Sequence, residues 1–551
     1  MKKIIFILGL AAVVLGTSCS DVLDLNPADR FSPATVWSTT TTADKYVIGL
    51  YSIFGANTEM RGGDAYASPR LSDAYSDILK STSWNQYNHN FNATLLQETA
   101  FNSNSAGAFE CWSSHYDRIR RENEFLRDAA EFGSKFGEDW LKIRIAEVRF
   151  CRAYAYFMLC RVYGGVILRT EVDGPEQNDK ARSTEEECWG FIINELKELA
   201  PDLPLKWDSD NSGRATQKAA YGLLSRVALY AEKWDVAAQA ARDCATAEGN
   251  LDLSENGYAK IFELGINSPE VLFAVEFKSS VIDHAYDAYV RPSGDTKELG
   301  KQGYSGFVPT SELVDSYEMA GDGGNFSWEK HGKDPYANRE PRFYATILYN
   351  GADWMGRKIE SFVGGKDGYK AYENAGAAGT TVTGYYLRKY LIDGDKTWVT
   401  SGSGQDWIVL RYAEVLLNKA EALAMENWNK NSAEALQALN DVRARVGLPA
   451  RATADKETFL EYVRHERKVE LAGEGFRYWD LRRWRLAEKV IDGQNVHGVK
   501  ISKQSDGSFT YEQVDADGGH KRIFYDRYYR FAIPLSERSN NSLCTNNDGW
   551  I

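Results

Sequence analysis

The sequence predicts a mainly α fold: a scaffold of stacked helical hairpins carrying one large loop-rich insertion and short β-hairpins. Three observations predict it. Apolar residues recur at helical spacing in two separate blocks, and small residues stand where the paired helices of each block must meet. Between the blocks, from about residue 250 to 405, the period gives way to Gly, Asn, Asp and isolated aromatics. At 551 residues the chain exceeds what one small core serves, so several domains or one large repeat-built body is expected.

Residues 1–18 read as a secretory leader. Lys2 and Lys3 precede an uncharged run from Ile4 to Gly16, too short to span a bilayer, which takes roughly 20 apolar residues. The run ends at Cys19, and Leu15-Gly16-Thr17-Ser18-Cys19 resembles a bacterial lipobox, with the leucine four places before the cysteine rather than three. That resemblance implies that Cys19 is the lipid attachment site, acylated by chains such as palmitate, and that the mature chain meets a membrane through its lipid.

Residues 19–250 form the first part of the scaffold. In "WLKIRIAEVRFCRAYAYFMLCRVYGG", Leu141, Ile145, Val148, Ala155, Leu159 and Val162 keep the spacing of a long amphipathic helix, and Gly164-Gly165 stop it. In "AAYGLLSRVALYAEKWDVAAQAARDC" two helices flank a turn at Lys233 to Asp235. Tyr221, Leu224, Ser225 and Ala228, then Ala237, Ala241 and Cys244, fall at the large and small offsets of a tetratricopeptide (TPR) unit. Residues 251–405 are a loop-rich elaboration with strand-like "VLFAVEF" and "RFYATILY"; loops this long are usually functional, which makes this the expected ligand face. Residues 406–490 repeat the hairpin plan with a slightly longer turn, through Ala413, Leu416 and Ala420, then Ala435, Leu439 and Val442. The tail, 491–551, is irregular; "SFTYEQV" and "RIFYDRYYRFAIP" flank "DADGG" in the manner of a β-hairpin.

The formal net charge of −13 argues against nucleic acid or an anionic membrane surface as partner, because both reward faces rich in Lys and Arg. Beyond Cys19 the six cysteines, Cys111, Cys151, Cys160, Cys188, Cys244 and Cys544, follow no metal-binding spacing, and their sequence gives no pairing. Catalytic motifs are missing too. His465-Glu466 has no second histidine for a zinc site, "TSGSGQD" lacks the nucleophile-elbow spacing, "DADGG" has His520 where a calcium loop needs glycine, and "NAGAAG" has no strand and helix around it. No cofactor or metal is expected, although an acid/base pair converging from distant carboxylates stays open.

Several stretches, in order along the chain, resemble one family, the SusD/RagB nutrient-binding outer-membrane lipoproteins of starch-utilisation-type systems. "CSDVLDLNPADRF" is similar to the family's mature N-terminus and "AEVRFCRAYAYFMLCRVYGGVIL" to its first long helix and exit. "EPRFYATILYNG", "RYAEVLLNKAEALA", "ALNDVRARVGLP" and "ERKVELAGEGFRYWDLRRW" resemble its later motifs; the C-terminal "FAIPLSERSNNSLCTNNDGW" matches only in part. The resemblance implies a TPR-like scaffold whose loop face captures oligosaccharide or polysaccharide outside the cell. It also implies delivery to a SusC-like TonB-dependent outer-membrane transporter, a lipid-anchored outer-membrane location facing the exterior, a role in polysaccharide utilisation, and no enzymatic turnover. Within the last motif, Glu470, Glu474, Arg477, Asp480 and Arg482 read as a structural charge network, with Trp479 and Trp484 beneath it.

A sugar ring offers an apolar face and a rim of hydroxyls, so a site needs a flat aromatic beside hydrogen-bonding side chains. Trp84 with Asn85, Tyr87 and Asn88 in "STSWNQYNHNFN" fits that need, as do Trp328 in "GGNFSWEKHG", Trp354 in "YNGADWMGR" and Tyr289 in "DHAYDAYVRP". Trp407 and Trp398, close to a scaffold helix, read as packing. The same Tyr and Trp loops would also suit a peptide or glycopeptide, and a surface glycoside hydrolase is the remoter alternative.

Overall fold

The computed structural model describes residues 32–56, 71–82, 101–174, 179–295, 303–371, 380–399 and 401–550. Its body is helical. Helices α1 (Thr40–Leu50), α2 (Trp112–Phe132), α3 (Glu138–Tyr163), α4 (Glu185–Leu199), α5 (Gln217–Tyr230) and α6 (Trp234–Thr246) come first, and α7 (Tyr412–Arg445), α8 (Lys456–Glu470) and α9 (Arg477–Arg483) follow the insertion. Their starts are chemical. Thr39 with Thr42, and Thr184 with Glu187, form capping boxes, while Thr216 and Asp455 accept the orphan N–H groups of α5 and α8. Among the described residues no helix is long and apolar enough to cross a membrane.

Consecutive helices pack as antiparallel neighbours, α2 on α3, α4 on α5 and α5 on α6, and α7 then closes on both α5 and α6. The TPR-like small-residue seam is real: Ala219, Ala220 and Ala228 of α5 and Ala237, Ala238 and Ala241 of α6 are all buried. Helix α7 is two helices in one run, because Asn427 leaves helical geometry at φ −164°, ψ 92°. Lys419 Nζ lies 2.8 Å from Glu434 Oε1 across that break. Fifteen residues of straight helix would hold them about 22 Å apart, so the chain doubles back there.

Helix α3 departs from the amphipathic expectation. Every residue from Phe150 to Cys160 is buried, because α1, α2, α4 and α5 surround it. Its polar positions survive burial by pairing: Arg152 with Glu195 of α4 at 2.6 Å, and Glu147 with Arg144 and with Arg214 at 2.7 Å. Gly164 ends the helix at φ +75°, and a Cβ on Gly165 would meet the Ser183 carbonyl at 2.4 Å, so the pair both stops α3 and lets the next segment pass close.

Strands are short and come in five two-stranded antiparallel sheets among the described residues. The "VLFAVEF" strand, β2 (Val271–Val275), pairs with β8 (Trp407–Arg411), which joins the insertion to the start of α7; Trp407 is buried there. β1 (Leu79–Ser81) pairs with β3 (Phe307–Pro309), β4 (Ile347–Leu348) with β7 (Tyr386–Leu387), and β5 (Asp353–Trp354) with β6 (Arg357–Lys358). The expected tail hairpin is displaced. "SFTYEQV" lies in β10 (Phe509–Asp515), which pairs with the upstream β9 (His497–Lys503); "DADGG" is a turn built on the Asp515 carboxylate, and "RIFYDRYYRFAIP" forms no strand. The six described cysteines are free and buried.

Candidate functional site

The aromatic residues nominated from sequence fall into different settings. Trp84, Asn85, Tyr87 and Asn88 lie outside the described residues. Trp354 is a correction: it is 0 % exposed and offers no face to a ligand. Met355 and Gly356, both at positive φ, make the two-residue turn of the β5–β6 hairpin, and the pleat points Trp354 inward. There the indole N–H donates to Asp295 at 2.9 Å, the Arg291 guanidinium lies 5.4 Å over the ring, and Arg357 bridges Asp295 and Asp367 at 2.6 to 2.8 Å.

Tyr289 is also packed rather than open. It sits on the short helix Tyr286–Val290 beneath Gly306, where any Cβ would come within 2.1 Å of the ring, and beside Phe307. Its neighbour Tyr304, ring centroids 6.4 Å apart, is the exposed one at 49 %. Two hydrogen bonds tie the end of β1 to this corner: Thr82 N–H donates to the Gly306 carbonyl at 3.0 Å and its hydroxyl to the Ser305 carbonyl at 2.5 Å. Sequence reading missed Tyr304, although "GYSGF" places it between glycines, where no core period accounts for it.

Trp328 is half-buried. Ser327 caps the single turn Trp328–His331, and the indole N–H donates to Asp315 at 2.9 Å. Burial pushes Asp315 up to about 6, although the bond from Trp328 works against the rise. Phe326 meets the indole edge-on at 5.5 Å, and half-buried Tyr511 of β10 stands at 5.9 Å. The row continues through buried Tyr336 to half-buried Tyr349, at 5.9 and 4.7 Å. Burial, and then Asp334, raise the Tyr511 phenol; burial leads again at Tyr349, where Arg388 opposes it. Trp328, Tyr511 and Tyr349 thus form an aromatic strip with a carboxylate and a guanidinium at its rim, the composition that sugar stacking requires. Sequence reading missed Tyr511 and Tyr349, because both lie in strand-like runs, "SFTYEQV" and "RFYATILY".

Beneath the loops lies the expected charge network. Glu470 binds Arg342 at 2.9 Å and Arg411 at 2.6 Å and also pairs with Arg445; Glu474 binds Arg411 and Lys389 at 2.7 and 2.9 Å; Asp480 binds Arg467 and Arg483, and Arg477 binds Asp77. Burial works to raise Glu470, but Arg445, Arg411 and Arg342 hold it well below the usual range. Arg482 departs from the expectation, since it spends its hydrogen bonds on the Tyr529 and Arg161 carbonyls rather than on a carboxylate. Trp479 is buried as expected, whereas Trp484 is half-exposed and donates to Glu421 at 2.8 Å. Among the described residues no group of three or more His, Cys, Asp or Glu is set to hold a metal ion.

Comparison with known proteins agrees with this architecture. The profile described as SusD family matches residues 269–550, just over half of the chain, and one described as starch-binding associating with outer membrane matches residues 21–229. A SusD-like protein of Bacteroides ovatus is 25 % identical over 94 % of this chain and 90 % of its own. A SusD-like protein of Bacteroides fragilis has a solved structure that superposes with a TM-score of 0.78 at 26 % identity, covering 94 % of this chain and 99 % of that one. A second structure from the same species, described as a SusD-like carbohydrate-binding protein, gives 0.75 at 24 % identity over 92 % and 99 %. The helical-hairpin scaffold, the ionic network at "ERKVELAGEGFRYWDLRRW" and the profile that covers that network and the later helices lead to one conclusion: the chain belongs to the SusD family.

Proposed function

We propose that this protein captures oligosaccharide or polysaccharide at the outer surface of the cell and passes it to a SusC-like TonB-dependent outer-membrane transporter. It is held there by lipid on Cys19 and binds its glycan without cleaving it. The observation that carries the reading is the half-buried aromatic strip of Trp328, Tyr511 and Tyr349 with its polar rim, in a chain of this family. Covering one sugar face of about 60 Å² contributes on the order of 1.5 kcal/mol. Two or three such contacts, less the cost of ordering the ligand, give micromolar to millimolar binding, loose enough for release to a transporter. In this reading Trp84, with Asn85, Tyr87 and Asn88, also contacts the glycan.

The test is a screen of immobilised glycans and peptides against the soluble chain, followed by titration of the best ligand into Trp84→Ala and Trp328→Ala. Each variant should lose at least about tenfold in affinity, about 1.4 kcal/mol, and the glycan should be recovered intact by mass after long incubation. Peptides binding in place of glycans, or products accumulating above a protein-free control, would overturn the reading.

A further inference from the structure

On the helical scaffold, a cavity of about 330 Å³ opens where the end of α3, the start of α4, the α5–α6 turn, α8 and α9 converge. Six arginines line it, in a chain whose net charge is −13. Four have carboxylate partners: Arg530 with Glu185 at 2.5 Å, Arg483 with Glu421 at 2.5 Å, Arg464 with Glu461 at 2.6 Å, and Arg485 more loosely with Asp526 at 3.9 Å. The other two, Arg161 and Arg482, have no carboxylate partner among the described residues. Both guanidinium groups stack on Trp479, with their carbons 4.1 and 4.7 Å from its ring centre. Arg482 is 4 % exposed and gives its terminal nitrogens to the Tyr529 carbonyl at 2.7 Å and the Arg161 carbonyl at 3.5 Å; Arg161 reaches the Met158 sulfur at 3.2 Å. Nε of each is buried with no hydrogen-bond partner.

Burying guanidinium groups without an acid is costly, and stacking on one indole recovers only part of that cost. The deeper network shows the alternative this chain uses elsewhere: Arg342, Arg411, Arg443 and Arg445 each bind at least two carboxylates. Burial, with Arg530 and Arg161 adding like charge, draws Arg482 down to about 10, so an incoming anion relieves an existing repulsion.

We propose that this cavity is a binding site for a small carboxylate-bearing sugar, its carboxylate lying between Arg161 and Arg482 and its ring against the aromatic wall formed by Trp189, Tyr230 and Trp484. The size is at the lower end for ligand cavities and suits one uronic-acid residue rather than a long chain. The wall supplies flat apolar faces, while exposed Glu232 at the same cavity is an acceptor for sugar hydroxyls. The proposal is independent of the loop-face reading, because the two sites share no residue.

The experiment is calorimetric titration of the full chain with glucuronate, with glucose as the uncharged counterpart and a short polyglutamate peptide as the competing anion. Glucuronate should bind in the millimolar range or tighter, glucose should not, and Arg161→Gln should weaken glucuronate at least about tenfold without lowering the melting temperature. Arg161 is the better probe, since buried Arg482 carries two carbonyl contacts whose loss disturbs folding; Trp484→Ala gives a second readout on the aromatic wall. Trp84→Ala should leave glucuronate binding unchanged, which separates this site from the loop face. Equal binding of glucose, undiminished binding in Arg161→Gln, binding of the acidic peptide but not of glucuronate, or no binding at all would each overturn it.

Discussion

Two tryptophans that look alike in sequence end in different settings, Trp328 half-buried and Trp354 fully buried, and the burial of Trp354 comes from a two-residue turn. Trp354 stands in a Gly- and Asn-rich stretch, but the turn at Met355-Gly356 folds its strand back and buries the indole against Asp295. Met-Gly is not the Asn-Gly or Asp-Gly pair that announces such a turn, so the hairpin was illegible. Trp354→Ala should therefore cost about 3 to 5 kcal/mol of stability and leave the glycan affinity of the folded fraction unchanged. Denaturant titration beside a binding isotherm checks this, and a loss of affinity at unchanged stability would restore Trp354 to the site. Glu122 on α2 makes a second single-residue case. It is buried, its two carboxylate oxygens have no hydrogen-bond partner, and burial pushes it up to about 8 against the pull of Arg152 and Arg118. A carboxyl raised in the folded state costs stability as pH climbs from its ordinary 4.5 towards 8, where the unfolded chain ionises and the native one resists. Glu122→Gln removes that cost. The variant should match wild type near pH 4 and exceed it by about 4 kcal/mol near pH 8; an advantage independent of pH would show that charge is not the cause.

At the level of elements, spacing made the helices legible and their surroundings did not follow. The α5–α6 pair stands where alternating large and small residues place it, with the turn closing just ahead of Trp234. Helix α3 was found, but its solvent-facing side was not to be had: Arg144, Glu147 and Arg152 read as a polar face until Asp44, Arg214 and Glu195 arrive from distant segments to neutralise it. The tail hairpin slipped for a related reason. "SFTYEQV" has an apolar-polar alternation that would pair with either neighbour, and "QSDGS" upstream offers a tighter turn than "DADGG", whose Asp517 is held by Arg522 and Lys80. Gly164 is the element boundary most exposed to test. Its φ of +75° with ψ of −123° is poorly open to other residues, and a Cβ there would come within 2.6 Å of the Arg530 side chain, which is paired with Glu185. Gly164→Ala should lower stability by about 1–3 kcal/mol, read as a drop in melting temperature; an unchanged melting curve would mean that the α3 exit tolerates an ordinary backbone.

For the whole molecule, the question is what fixes a long insertion to a scaffold that surrounds it in sequence. Glu470, at the end of α8, answers it by binding Arg342 from the insertion, Arg411 from the β8 strand that leads back into the scaffold, and Arg445 from the end of α7. Charge patterning in the late motif made a network expected, yet the partners Arg342, Arg411 and Glu270 are 59 to 200 residues away from it in sequence, and one sequence alone does not pair them. Removing one member of such a buried cluster leaves guanidinium charge uncompensated, which typically costs about 3–5 kcal/mol. Glu470→Gln keeps the shape and removes the charge, so at neutral pH it should lose stability on that scale. The pH dependence carries the sign. Because the arginines hold the folded carboxyl well below its ordinary 4.5, the stabilisation is fully present above that value and is lost as pH falls below it towards the folded value. The gap between wild type and Glu470→Gln, measured by denaturant titration, should therefore be widest near pH 7 and narrow progressively below about pH 4.5. A gap that stays constant into acid would mean that Glu470 acts through its shape and hydrogen bonds and not through its charge, and that the insertion is fixed to the scaffold by packing.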